Sequence, residues 1–124
     1  MKEVTLTLAG KERKLQLQAP KSFALAHDVA GAVSSNWRRA FAAALGACWM
    51  GPGRPKASYA GCDYSVGAYG GKVIDELVEQ GYDLSEVLAA GAEAFSLLTA
   101  GLLSEAEVKA EEDFTDGPAG EPTL

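Results

Sequence analysis

The first apolar pattern along the chain has a period of two. Val4, Leu6 and Leu8 alternate with Thr5 and Thr7, and Leu15 and Leu17 alternate with Lys14, Gln16 and Gln18. Alternation places one set of side chains on one face of a strand. The polar turn Ala9-Gly10-Lys11-Glu12 joins the two runs, and Pro20 closes the second. The pattern predicts a β-hairpin over 3–18 with one greasy face. A lone hairpin is marginal in water, so that face needs a helix or another sheet to cover it. Its outer edges are open to strand addition.

From Ser22 the period becomes helical. Ser22 is a capping residue. Leu25, Val29 and Val33 recur every four positions, predicting a helix over about 22–34. Ser34-Ser35-Asn36 interrupts it. Trp37, Phe41, Leu45 and Cys48 or Trp49 then mark one face of a second helix over 37–50, kept thin by Ala40, Ala42, Ala43, Ala44, Gly46 and Ala47. Gly51-Pro52-Gly53-Arg54-Pro55 cannot continue a helix, so 51–63 reads as a loop, basic through Arg54 and Lys56 and carrying Tyr59.

Val66, Tyr69 or Gly70, Val73, Ile74, Leu77 and Val78 predict a helix over 65–80, with Gly81 as its C-terminal stop. Asp83 to Glu86 has the form of a capping box. Leu84, Leu88, Gly91, Phe95, Leu98 and Leu102 then step by 4, 3, 4, 3 and 4 residues. That is an a/d stripe on a helix over 84–102, read as packing onto the other helices or, in its sharper form, as a self-association seam. Ser104-Glu105-Ala106-Glu107 opens a further short helix over 104–112. Residues 113–124, rich in Pro, Gly and acids, read as a flexible acidic tail. The fold class expected is α+β: an N-terminal hairpin followed by a small bundle of four to five helices, all one domain over 1–112.

Composition sharpens this picture. Of the 124 residues 48% are apolar, and 22 are alanine, so the helices can approach closely. The net charge of −6 hides a split. Residues 1–60 hold nine Lys and Arg against three Asp and Glu, a balance of +6; residues 61–124 hold two against fourteen, a balance of −12. An acidic total argues against a nucleic-acid partner, which requires a basic face to neutralise phosphates. The split itself permits one half to attract the other, within a molecule or between copies stacked head to tail. The alternative is that both faces are simply solvated. The longest apolar-or-glycine run, Ala40 to Gly51, falls short of a membrane span. No cleavable leader is recognisable, which points to the cytoplasm.

The chemistry-bearing residues are sparse. Cys48 and Cys62 are too few for a disulfide framework, and with His27 as the only histidine a zinc site lacks ligands. His27 and Asp28 are neighbours that do not share a helix face. Gly67-Ala68-Tyr69-Gly70-Gly71-Lys72-Val73 resembles a phosphate loop but has Val73 where Ser or Thr is required. The six acids from Glu105 to Asp116 lack the order of a calcium loop. These readings predict no catalytic residues, no metal and no cofactor. The parts suit protein–protein assembly, with Trp37, Phe41, Phe95, Arg54 and Lys56 as candidate protein-binding residues.

One passage resembles a known family. Gly70-Gly71-Lys72-Val73-Ile74-Asp75-Glu76-Leu77, then Gly81, then Ser85-Glu86-Val87-Leu88-Ala89-Ala90-Gly91, closes with Glu107-Val108 and Glu111-Glu112-Asp113-Phe114. This helix–glycine–helix passage with an acidic end, behind an N-terminal hairpin, resembles the tail assembly chaperones of long-tailed bacteriophages and prophages. The resemblance implies a non-enzymatic protein of the host cytoplasm that binds the long helical tape-measure protein before the tail tube polymerises, working as an oligomer. It further implies that a frameshifted longer form can recruit tube subunits. It carries over no catalytic residue. Two other readings compete: a structural head–tail joining or tail-terminator subunit, which remains in purified particles, and a small bacterial adaptor or antitoxin-like protein using its acidic tail.

Overall fold

The computed structural model describes the backbone of residues 2–116 and the side chains of residues 2–100. The architecture is α+β. Strand β1 (Lys2–Leu8) pairs antiparallel with β2 (Lys11–Leu17), and β2 pairs with a two-residue β3 (Trp49–Met50), giving the sheet order β1-β2-β3. Helix α1 (Phe23–Cys48) lies between β2 and β3; α2 (Val66–Gln80) and α3 (Leu84–Asp116) follow. A single 3-10 turn covers Ala60–Cys62.

The hairpin forms as its alternation predicts. Val4 stands opposite Leu15, and Leu6 and Leu17 share the same face, so the apolar residues meet the helices. Ala9 and Gly10 make the turn, both at positive φ (54° and 77°). Two positive values suit the twist of a two-residue hairpin turn, but an alanine there is strained. The outer edge of β1 is not bare. Glu86 Oε1 accepts the Thr7 amide at 2.5 Å, and Leu8 bridges to Tyr82. Lys2 Nζ meets Glu93 at 2.6 Å, fastening the same edge to α3.

Three α-helices lie among the described residues, not four or five, and the difference has physical causes. The stretches read as 22–34 and 37–50 run together as α1, with only Asn36 leaving helical backbone (φ −154°, ψ 59°). The Ser35 hydroxyl bonds back to the Ala32 carbonyl at 3.4 Å, a contact that bends helices without ending them. The C-terminal limit moves as well. Trp49 and Met50 leave the helix to pair with Leu17 and Gln16, and Gln18 donates its amide to the Cys48 carbonyl at 2.8 Å. Trp49 is wholly buried, edge-on to Tyr82, with Nε1 on the Pro52 carbonyl at 3.2 Å. Helix α3 is continuous where separate helices over 84–102 and 104–112 and a tail from 113 were expected. The tail over 117–124 lies outside the described residues, as does the side chain of Leu102.

Helix α2 matches its sequence signals. The Ser65 hydroxyl caps the Ala68 amide at 3.2 Å, and Gly81 (φ 109°) stops the helix. The capping box at α3 is corrected by the structure: Asp83 caps the Ser85 amide at 3.3 Å, while Glu86 is drawn to strand β1 instead.

The core sits where α2 and α3 cross the second half of α1. Ala40, Ala42, Ala43, Ala44, Leu45 and Cys48 are all buried on that segment. At the α2 crossing, Gly70 lies on the Arg39 backbone: a Cβ there would fall onto the carbonyl, 2.7 Å from its carbon. At the α3 crossing, a Cβ on Gly91 would be 2.7 Å from the Phe41 carbonyl oxygen. The buried face of α3 is accordingly Val87, Ala90, Gly91, Ala94 and Leu98. The expected stripe is shifted: Leu84 is 42% exposed, and Leu88 and Phe95 are only half-buried.

Two outcomes test this packing. Gly70→Ala should cost about 3 kcal/mol, the upper part of the overpacking range, because the obstacle is backbone and cannot rotate away. Ala9→Asn should instead stabilise by about 1 kcal/mol by relieving left-handed strain at the turn. Urea midpoints measured on both variants check the pair of signs.

Candidate functional site

Three of the sequence-predicted residues come together. Trp37 stands one residue past the bend at Asn36 and one helical turn before Phe41. Its ring meets Phe41 edge-on at 5.5 Å, and Phe41 meets Phe95 of α3 at 5.3 Å. The result is a continuous aromatic row over the α1–α3 seam. Phe41 and Phe95 are half-buried, whereas Trp37 is 43% exposed. The Arg38 guanidinium lies 4.5 Å from the centre of the Trp37 ring, a cation–π contact at the outer end of the row.

The remaining pair, Arg54 and Lys56, is elsewhere. Both line a cavity of about 290 Å³ with Pro20, Leu25, Pro55 and Tyr69, on the α2 side of α1. The loop that carries them is fixed from α2. The Glu76 carboxylate accepts the Lys56 amide at 2.8 Å and the Ala57 amide at 2.9 Å. Arg54 Nε donates to the Gly46 carbonyl at 3.4 Å. The five residues thus form two places, not one.

Sequence reasoning placed Tyr59 on the basic loop and offered Tyr69 for the apolar face of the 65–80 helix, but gave neither a part in this place. Tyr59 donates its hydroxyl to Asp28 Oδ2 at 2.7 Å, tying the loop to α1. It also packs edge-on to Tyr64 at 5.5 Å and to Tyr69 at 5.9 Å. Burial and the Asp28 carboxylate push its phenol up to about 12. Tyr69 is buried, which raises its phenol despite the nearby Arg54 charge. The available signal was its position on the apolar face of α2, directly before Gly70.

The thiols and the histidine stay apart in character. Cys48 is wholly buried, its Sγ 3.8 Å from the Ala94 carbonyl, and burial pushes the thiol up to about 12. Such a thiol is not a thiolate near neutral pH. Cys62 is also buried. The His27 side chain is 71% exposed, stacks on Phe23 at 5.9 Å, and lies 3.9 Å from Asp28. Among the described residues, no three His, Cys, Asp or Glu side chains gather into a metal cluster, and no helix is long and apolar enough to cross a membrane. Comparison with family models, curated proteins and solved structures finds no match.

The tyrosine shift gives a pH outcome. A phenol held above its ordinary value stabilises the fold fully below about pH 10, and that contribution is lost as pH rises toward 12. Tyr59→Phe should therefore flatten the loss of stability between those limits. Thermal unfolding of both proteins across the alkaline range checks it: an unchanged alkaline slope means another group carries the transition.

Proposed function

We propose that the chain is a non-enzymatic assembly chaperone of the phage-tail type, holding an apolar helical stretch of a tape-measure protein in the bacterial cytoplasm until the tail tube forms. The observation that carries this reading is the aromatic row. Trp37, Phe41 and Phe95 lie against one another with Trp37 nearly half open to solvent. Large aromatic rings that are partly exposed and held rigid by neighbours are typical anchors for a partner chain. A client helix lays its apolar stripe into such a surface through residues one turn apart. The ring separations of 5.5 and 5.3 Å are comparable with the 5.4 Å pitch of that helix.

The alternatives to binding have little support from these residues. A nucleophile needs a base within hydrogen-bond reach and a lowered pKa. Cys48 has the opposite shift, and its hydrogen-bond partner is a carbonyl. Repetition of the row along a long client would come from several copies of the chain. The +6 and −12 halves provide a means for those copies to associate, and such an assembly weakens as salt rises.

Co-expression with a long helical tape-measure-type protein, taken from the genes next to this one, is the test. The expected result is recovery of that protein in the soluble fraction only when this chain is present. Trp37→Ala should lower the recovery several-fold while leaving the thermal midpoint nearly unchanged, since that ring is largely outside the core. A partner no more soluble with the chain than without it overturns the reading.

A further inference from the structure

The cavity on the α2 side of α1 has a distinctive set of lining groups. Its wall is apolar: Pro20, Leu25, Ala47 and Pro55. Its charged groups are both cations, Arg54 and Lys56, and the hydroxyls of Ser58 and Tyr59 beside them are engaged by the Gly61 amide and by Asp28. Arg54 commits Nε to the Gly46 carbonyl, which leaves the two terminal nitrogens of its guanidinium. Lys56 commits only its backbone amide. Neither cation has a carboxylate within ion-pair distance among the described residues, where the recorded pairs are Lys2–Glu93 and His27–Asp28.

Tyr69 supplies the deciding feature. The residue is 3% exposed and lines this cavity. Its hydroxyl lies against Gly46, 2.9 Å from where a Cβ would be, and so beside Ala47 and the Arg54 guanidinium that line the same space. No side-chain hydrogen bond acts on it among the described residues. A buried phenol without a partner is costly, and native structures seldom leave one so. The two nearby carboxylates are already engaged: Glu76 by two loop amides and Asp28 by the Tyr59 hydroxyl.

We infer that this cavity is a receptor for a glutamate or aspartate side chain of a partner polypeptide, with the carboxylate received by Arg54, Lys56 and the Tyr69 hydroxyl and an adjacent apolar side chain resting on Leu25, Pro20 and Pro55. The two cations select a carboxylate over an amine. The apolar wall selects a carboxylate carried on a hydrocarbon stem over a bare anion. The volume of about 290 Å³ lies at the lower limit for small-molecule sites and suits a side chain or two. That the bearer is a polypeptide rests on the holding function proposed above. The contact is separate from the aromatic row, so it adds a charge-reading element to an otherwise apolar grip.

The test uses the full chain and two capped dipeptides, N-acetyl-Leu-Glu-amide and N-acetyl-Leu-Gln-amide, with inorganic phosphate as a third probe. Amide and side-chain shifts at Leu25, Arg54, Ala57 and Tyr69 are followed by NMR. The expected result is saturable shifts from the glutamate peptide, at least tenfold weaker binding of the glutamine peptide, and weaker binding of phosphate. Arg54→Gln and Tyr69→Phe should each weaken the glutamate peptide several-fold. Tyr69→Phe should lower the urea midpoint only slightly, because the hydroxyl it removes contributes packing against Gly46 and no hydrogen bond. Shifts of equal strength from the glutamine peptide or from phosphate overturn the proposal, as does the absence of shifts at these residues. A loss of stability on Tyr69→Phe of the size of a broken buried hydrogen bond would also overturn it, by showing that the hydroxyl has a partner within the fold. The dipeptide measurement bears on the cavity alone, and the co-expression measurement with Trp37→Ala bears on the row alone, so each reading can fail by itself.

Discussion

The structure depends on backbone-to-backbone contact at two crossings of α1. Gly70 of α2 rests on the Arg39 carbonyl, and Gly91 of α3 rests on the Phe41 carbonyl. These contacts are two residues apart on α1, so the helix is gripped from both sides over a single turn. Close approach there leaves room only for small side chains nearby, which is why Ala40, Ala42, Ala43 and Ala44 are completely buried. A chain with few large apolar residues can still exclude water in this way, because dispersion contacts between close backbones replace the area that leucine would otherwise bury.

The same constraint places both candidate surfaces. A seam this narrow cannot admit aromatic rings, so Phe41 and Phe95 are displaced to its margin and Trp37 beyond it. On the other side, Tyr69 precedes Gly70 and is carried into the α1–α2 interface, where its hydroxyl presses on Gly46. The loop after β3 forms the facing wall of the cavity, held by Glu76 from α2 and by Tyr59 to Asp28 on α1. The row and the cavity are thus two margins of one tightly packed helix, and altering either glycine crossing would shift both.

This explains which parts were legible in the sequence. The hairpin, the Ser65 and Gly81 limits of α2 and the interruption before Trp37 are local signals, and each has a local structural counterpart. Those that failed were tertiary. Leu84, Leu88 and Phe95 have the spacing of a buried stripe, yet the crossing selects the smallest residues of α3, and Gly91 rotates Ala90 and Ala94 inward in place of the leucines. Trp49 continues the helical period but is taken by the sheet through its pairing with Leu17. Glu86 has the right spacing for a cap and the wrong competitor, the free Thr7 amide. Of the site, Trp37 and Phe41 were legible on one face of one helix and Phe95 on the stripe of another, whereas the partition of Arg54 and Lys56 from them was not, because a loop of this length has no period to read.

An exposed tryptophan in a small-residue protein is itself an argument about selection of surfaces. Burying Trp37 would require widening the α1–α3 seam, and the Gly91 crossing forbids that. Leaving it bare would expose a large apolar ring, the kind of surface that promotes indiscriminate association. Arg38 resolves the conflict by covering one face of the ring with a charge that is easily displaced, since an exposed cation–π contact is worth only about 0.5–1 kcal/mol. A partner that offers a complementary apolar stripe gains more by burying the ring than it loses by moving the guanidinium. A ring covered in this way is screened against weak encounters and available to strong ones, the property that the holding role proposed above requires.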